Sequence, residues 1–455
     1  DLYSLIILKT GNFAVVNGNT EMTSIGYLGY SITAGSILGD YKAGDEYTKV
    51  CINLAEKHDR SSSKCIIYFV IGALISHWTH DAQVGLEYLK KAVISGIEAG
   101  DILIIGYANC LLLEIPYLMG VPLEEVAGEV QKKKEIARRL KHETLANNVA
   151  VYEKLVSILL GERTDSLASG VTEFQRDEFP QLIQGDQSPL TTYYIYEMYL
   201  CYIIGNYKDA LAAAQKVEPL NGAIIGFMVS AEYNFYYSLV ITAAYEELTN
   251  KDKKRYMNIL KNNQKQMKRW SETCKKNFEH KYLLVAAETA HIQNDVKEAM
   301  SLYDCAIRSA RENGYIQNEA LGNELAARFY LSQGLEKIAR VYMQDACHGY
   351  FKWGSYTKVR ELQERYPEFL EGIAFERQNK ISITDTFESI QSISTPSDSE
   401  TADSIDTYFI DKIIENISEE TDINKLLESF LSIAAQSIGA DRGYLIFEKD
   451  GDLFI

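Results

Sequence analysis

The stretch Ala287-Glu-Thr-Ala-His-Ile-Gln-Asn-Asp-Val-Lys-Glu-Ala299-Met-Ser-Leu-Tyr303-Asp-Cys-Ala306 is answered further along by Ala327-Arg-Phe-Tyr-Leu-Ser-Gln-Gly-Leu-Glu-Lys-Ile-Ala339-Arg-Val-Tyr-Met343-Gln-Asp-Ala346. Both copies place alanine at the same three positions and a large side chain, Tyr303 or Met343, between the last two. Two helices that cross closely need small residues at the contact and a large one to fill the next gap. The small-small-large-small order is therefore the skeleton of a tetratricopeptide-like helical hairpin, here in a longer unit.

Working outward, Gly205-Asn-Tyr-Lys-Asp-Ala-Leu-Ala-Ala-Ala-Gln-Lys-Val-Glu-Pro219 carries the same second-helix pattern. Its Gly-Asn-Tyr turn comes before Ala210, and Pro219 stops the helix. Gly39-Asp-Tyr-Lys-Ala-Gly and Gly85-Leu-Glu-Tyr-Leu-Lys-Lys-Ala92 read as degenerate earlier copies. A single hairpin of this kind is apolar on two sides, so neighbours must stack. The sequence predicts an all-α, right-handed helical-repeat solenoid over 1–370, with Val359 and Leu362 on the face of its last clear helix and Pro367 ending it.

Beyond 370 the character changes. Residues 371–404 are rich in Ser, Thr and Asp and read as a disordered, flexible linker. Over 405–420, Ile405, Phe409, Ile413 and Ile417 recur every four residues and lay one apolar stripe along a short helix. That stripe is a candidate dimerisation or coupling surface. Residues 421–455 then read as a capped helix through Leu426, Leu427 and Phe430, a strand at Tyr444-Leu-Ile-Phe447, and a hairpin turn at Lys449-Asp-Gly-Asp452.

Composition fits a helical array: only 7 prolines interrupt 455 residues, and 31 tyrosines suit crowded helix contacts. The net charge of −17, from 63 acidic against 46 basic residues, argues against general nucleic-acid or anionic-membrane binding, which needs concentrated Lys and Arg. The basic run Gln131-Lys-Lys-Lys134 with Arg138-Arg139 reads as a solvated helix face rather than a docking patch. Seven scattered cysteines without a C-x-x-C pair predict core thiols in a reducing, cytoplasmic setting. No apolar run approaches the roughly 20 residues a membrane-spanning helix needs. The start Asp1-Leu-Tyr-Ser lacks Met and a basic leader, so the sequence reads as a piece of a longer protein.

Chemistry-bearing motifs are scarce. No glycine-bracketed Gly-Lys-Ser/Thr string, kinase Gly-rich loop, His-Arg-Asp loop or Asp-Phe-Gly triplet occurs in the sequence. No catalytic residue and no cofactor is therefore assigned. His77 and His80, three apart, share a helical face, but Cys65 is a poor third ligand, so a helix-terminal structural role is preferred to a metal site. His291 reads as a packing residue rather than a phosphoacceptor. Tyr193 and Tyr196, with Tyr233, Tyr236 and Tyr237, are candidates for an interaction groove, against the alternative that rings at helical spacing pack in the core.

The run from Ser309 to Leu321, then Glu324-Leu-Ala-Ala-Arg-Phe-Tyr330, Ile338-Ala-Arg-Val-Tyr-Met-Gln-Asp-Ala346, Tyr350-Phe-Lys-Trp-Gly354 and Lys358-Val, resembles the helical-repeat region of large multi-sensor signalling kinases. Gly39-Asp-Tyr, His77-Trp and Ala287-Glu-Thr-Ala extend the likeness over most of 1–370. Leu426-Leu427 and Ala440-Asp-Arg-Gly-Tyr-Leu-Ile-Phe447 are similar to the first helix and strand of an α+β GAF domain. The resemblance implies a serine/threonine-kinase-like domain and an AAA-type ATPase before the repeats, and a GAF domain and histidine kinase after them. It implies that ATP and Mg belong to those flanking domains. The segment itself is then a non-enzymatic regulatory part that binds a protein partner or its own flanking domains, and that forms a homodimer through 405–420. Two other readings stand beside it: a small-molecule sensor with a Tyr-lined pocket, and the repeat region of a transcriptional regulator, which would need a basic helix-turn-helix that is not seen here.

Overall fold

A computed structural model describes residues 2–20, 23–58, 61–162, 166–371, 447–449 and 452–454. The chain divides into two compact units, one of residues 1–137 with 142–373 and one of residues 138–141 with 374–455. The first contains a succession of helices: α1 (Leu2–Asn17), α2 (Thr23–Ile32), α3 (Tyr41–His58), α4 (Ser61–Val70), α5 (Ala82–Ala99), α6 (Ile102–Leu118), α7 (Leu123–Leu140, whose last residues group with the second unit) and α8 (Glu143–Leu160). It continues through α9 (Leu167–Gln175), the single turn α10 (Phe179–Leu182), α11 (Gln187–Ile203), α12 (Tyr207–Val217), α13 (Val229–Ala244) and α14 (Asn250–Thr273). The last stretch is α15 (Lys275–Ile292), α16 (Val296–Glu312), α17 (Ile316–Ser332), α18 (Glu336–Trp353), α19 (Tyr356–Arg365) and α20 (Pro367–Leu370).

The helices are cut to length by a short connector. A left-handed residue recurs at positions 100, 120, 141 and 161, and again at 294, 314, 334 and 354, so each helix and its turn form a unit of nearly constant length. In several turns the next residue is a side-chain cap: Asp101 accepts from the Ile104 amide at 3.0 Å, His142 Nδ1 from Leu145 at 3.1 Å, and Asp295 from Glu298 at 3.2 Å. A left-handed residue releases the old helix and a cap satisfies an orphan amide of the new one. Lys141 and Asn294 hold this conformation without being glycine, which hides two of the eight turns from a glycine search.

The repeat skeleton sits where the sequence places it. Ala287, Ala299, Tyr303 and Ala306, and Ala327, Ala339, Met343 and Ala346, are all buried. So are Ala92, Ala210, Val359 and Leu362. Between the α4 end and α5 the approach is closer still. A Cβ on Gly72 would meet the Gly85 carbonyl oxygen at 2.7 Å, so only glycine fits.

One feature departs from a simple curved stack. Asn277, in the first turn of α15, donates to the carbonyls of His77 and His80, both at 2.8 Å. Gln317, in the first turn of α17, donates to Leu118 O at 2.9 Å. Thr357, in the first turn of α19, donates to Ile158 O and Leu159 O at 3.0 Å. The donors recur at a constant interval along the chain, and the sequence separation between donor and acceptor runs only from 197 to 200. Some 200 residues thus separate the two ends of each bond, so the array returns upon itself. The side chains of the second pass thus donate to carbonyls at the helix ends of the first, where intrahelical partners run out.

Near the other end of the chain, β1 (Phe447–Lys449) pairs antiparallel with β2 (Asp452–Phe454), Lys449 opposite Asp452. Residues 450 and 451, where the sequence places the turn, lie outside the described residues. Strands occur only here among the described residues. Residues 372–446, and with them the linker, Ile405, Phe409, Ile413, Ile417, Leu426 and Tyr444, lie outside the described residues.

Candidate functional site

The return of the array brings α6, α11, α13, α17 and α18 together at the centre of the first unit. Helix α11 is buried on all sides, as a helix lacking a polar stripe must be. Tyr117, Tyr152 and Tyr196 form a three-ring cluster with centroids 5.4–5.6 Å apart in edge-to-face contacts. Tyr117 also approaches Trp353 at 6.0 Å across the two passes of the array.

The five tyrosines expected as an interaction groove are all part of this core, which corrects that expectation in favour of its alternative. Tyr193, Tyr196, Tyr233, Tyr236 and Tyr237 are 1%, 3%, 8%, 9% and 3% exposed. Most of their hydroxyls are engaged by the protein: Tyr193 donates to Phe174 O, Tyr233 to Ala214 O at 3.2 Å, and Tyr237 to Glu218 at 2.9 Å. Tyr196 shares a 2.8 Å bond with Tyr152. Tyr236 packs on Tyr199 with centroids 4.8 Å apart. The void left among Tyr117, Tyr196, Tyr199 and Tyr236 measures only about 20 Å³, room for one water molecule. Around Tyr196 and Tyr236 the second pass of the array, through Gln317, Asn318 and Trp353, fills the inner face that an open solenoid would present.

Two buried ion pairs brace the same core. Lys281 pairs with Glu232, and their side chains are 1% and 7% exposed. Lys358 reaches Glu324 Oε1 at 2.9 Å, Glu361 at 2.8 Å and the Ile203 carbonyl at 3.0 Å, while Tyr350 donates to the other Glu324 oxygen at 2.8 Å. Burial pushes the Glu324 carboxyl up, but the Lys358 and Arg328 charges with the Lys358 and Tyr350 hydrogen bonds together outweigh it and hold the group below the usual carboxylate range.

Glu114 behaves in the opposite way. Burial raises its carboxyl to about 7, against a lowering bond from Tyr152 and with a raising push from Glu232. The group costs stability whenever it ionises. Its contribution is therefore fully present below the unfolded pKa near 4.5 and is lost as pH rises to about 7, a swing of about 3 kcal/mol. Glu114→Gln removes that swing. Thermal unfolding should show the variant gaining stability over the parent as pH is raised from 5 to 8, and a gap that shrinks with pH would contradict the assignment.

The histidine positions separate in space. His77 is fully buried against Trp78, and burial drives its pKa down to about 3, so it stays neutral. His80 turns outward to Asp45 at 2.8 Å, and Cys65 lies 3.9 Å from Asp101. The three do not converge. His291 is half-buried and sits edge-on to Phe329. The basic run lies on α7, where Lys132 and Lys133 meet Glu129 and Lys134 meets Glu153. Burial pushes the Cys51 and Cys65 thiols up to about 12 and about 11, which keeps them protonated.

Residues 176–371 match the family model described as CHK1-like, TPR repeats. The chain is also similar to hybrid signal transduction histidine kinase G of Dictyostelium discoideum, at 23% identity over 128 residues. That alignment takes in 28% of this chain and 4% of the relative, so the chain spans a small part of it. Among solved structures, a circular tandem repeat protein with novel repeat topology and enhanced subunit contact surfaces aligns at 14% identity, covering 81% of this chain and 88% of that one with a TM-score of 0.15. The chain thus contains a TPR-like helical-repeat region with weak similarity to a signalling histidine kinase. Among the described residues no helix is long and apolar enough to cross a membrane.

Proposed function

We propose that this chain is a non-catalytic, protein-interaction segment of a larger cytoplasmic signal-transduction kinase. The observation that carries the reading is the match of 176–371 to a TPR-like repeat family in a chain that also aligns with a small part of a hybrid signalling kinase. In the fuller form of the proposal, the repeats link an N-terminal kinase-like and AAA ATPase module to a GAF domain that begins near 421 and a histidine kinase beyond it. ATP and Mg²⁺ are handled by those modules, and Ile405, Phe409, Ile413 and Ile417 pair two copies of the chain.

Because the inner face is filled, a protein partner is engaged on the outside. Val296 on α16 and Leu335, Ile338 and Val341 around α18 are 38%, 40%, 41% and 57% exposed and offer apolar anchor points there. Sedimentation of the full chain with each purified flanking module tests this. A complex is expected, weakened roughly tenfold by Ile338→Glu with Val341→Glu, since one anchor is worth about 1.4 kcal/mol or more. Failure to bind any module, or ATP turnover by the chain alone, would count against the proposal. A monomer in the same run without partner would remove the pairing through 405–420.

A further inference from the structure

Helix α14 carries eight Lys and Arg against two acids, in a chain whose net charge is −17. Its eleven exposed residues are seven basic ones, three asparagines and Glu272. Lys254, Lys261, Lys265 and Lys268 follow one another at steps of seven, four and three residues, so they share one face, which Lys251 and Arg269 extend at its ends. From Lys251 to Arg269 the stripe is about 27 Å long. Tyr256, Leu260, Met267 and Trp270 are buried on the opposite side and hold the helix on the array. Acids offset the stripe only loosely. Arg255 is 3.7 Å from Glu218 and Lys268 is 3.9 Å from Glu272, beyond hydrogen-bond distance and between exposed side chains. Lys251, Lys254, Lys261, Lys265 and Arg269 make no ion pair among the described residues. Like charges one turn apart, such as Lys261 with Lys265 and Lys265 with Arg269, repel and destabilise the helix that bears them. The basic run of α7 differs, because its lysines meet Glu129 and Glu153.

We infer that this face of α14 is a docking surface for an acidic polypeptide segment of a partner protein, its carboxylates lying along the stripe. Charge complementarity carries the assignment, since a polyanion relieves the repulsion among exposed, unpaired cations. Among polyanions the surface fits a polypeptide. A single-stranded nucleic acid stacks its bases on exposed rings, and the two rings of α14, Tyr256 and Trp270, are 5% and 7% exposed. A helix that lies on a membrane inserts an apolar face, and α14 exposes no large apolar side chain. The net charge of −17 repels a duplex or a vesicle that reaches past the stripe, whereas a short acidic segment meets the stripe alone. Affinity therefore falls as salt rises, because exposed charges are screened beyond about 8–10 Å at ordinary ionic strength. The surface stands apart from the apolar anchors on α16 and α18, and neither rests on the other.

The test titrates the full chain against a labelled Glu-Ala repeat peptide of about 18 residues, which matches the stripe, and against an oligothymidylate of equal charge. Co-sedimentation with phosphatidylserine vesicles completes the set. The peptide is expected to bind saturably and more tightly than the oligothymidylate, and the vesicles not at all. Lys254→Gln with Lys261→Gln and Lys265→Gln should weaken the peptide at least about tenfold. Lys90→Gln with Lys132→Gln and Lys134→Gln removes the same charge from α5 and α7 and should leave binding within about twofold. All six lysines are exposed, so both variants are expected to fold. Equal loss in the two variants would reduce the effect to net charge and overturn the inference. Tighter binding of the oligothymidylate or of the vesicles through α14 would overturn it in favour of nucleic acid or membrane. Self-association of the free chain that the α14 variant abolishes, or carbodiimide crosslinks within the monomer from the α14 stripe to the chain's own acids, would give the face to this chain instead. Absence of saturable peptide binding would also reject it.

Discussion

Replacing Lys358 by Met is expected to lower the unfolding free energy by about 3–5 kcal/mol at pH 7.5, because it strands a buried carboxylate. The ammonium of Lys358 serves Glu324, Glu361 and the Ile203 carbonyl together, and its side chain is 1% exposed. Without it Glu324 keeps only the Tyr350 hydroxyl. The dependence on pH differs between the two proteins. In the parent the Glu324 pKa is depressed, so its contribution is present above the unfolded pKa and fades as pH falls through the folded one. In the variant burial is opposed only by the Arg328 charge and the Tyr350 hydroxyl, so the pKa rises above the parent's and less stability is gained as pH rises. The gap between the two proteins should be small near pH 4 and widest at pH 7 to 8. Adding Glu324→Gln to Lys358→Met should recover part of the loss, since the amide oxygen still accepts from Tyr350. Denaturant unfolding over that pH range checks all three statements, and a gap independent of pH would reject the pair as the cause.

Trp78→Ala is expected to cost about 3–5 kcal/mol, the usual range for deleting a buried aromatic ring. The ring is 2% exposed and lies within 5.5 Å, centroid to centroid, of Tyr41, Trp270 and Phe278. Tyr41 and Trp78 come from the first pass of the array, and Trp270 and Phe278 from the part that returns to it. Trp270 Nε1 donates to Tyr41 Oη at 2.8 Å and fastens the same junction. The cavity should therefore loosen contacts between segments far apart in sequence more than contacts between sequence neighbours. Faster tryptic cleavage within the Lys-rich α14, together with a lower unfolding temperature, is the expected signature. Unchanged cleavage of α14 would place the ring's contribution elsewhere.

The local unit was legible because it is written in side-chain size. Ala299, Tyr303 and Ala306 recur as Ala339, Met343 and Ala346 at equal spacing, and all six are buried. The return of the array was not legible, because no local pattern encodes it. Asn277, Gln317 and Thr357 differ in size and share only the ability to donate a hydrogen bond, at positions that a hydropathy pattern reads as polar helix starts. That return also decides the fate of Tyr196 and Tyr236. In an open solenoid, rings on the inner face of α11 and α13 would line a groove. Here α17 and α18 close over Tyr196 and Tyr236, with Gln317, Asn318 and Trp353 bordering what space remains, while Tyr193, Tyr233 and Tyr237 bond to Phe174, Ala214 and Glu218 nearby in sequence. A signal was present in α11, where Leu190 to Ile203 offers no continuous polar face, as expected of a helix covered on every side.

Side chains far apart in sequence touch because the repeats wind back upon themselves, and one such contact can be trapped chemically. Lys276 pairs with Asp81, and both side chains are partly exposed, so a zero-length carbodiimide reagent can join them. The local pairs Lys134–Glu153 and Lys216–Glu197 serve as internal controls. Mass spectrometry of the monomeric, crosslinked chain should recover peptides joining Asp81 to Lys276 alongside both controls. Recovery of the local pairs without any crosslink between helices α1 to α8 and helices α15 to α19 would contradict the wound-back array and restore an open one.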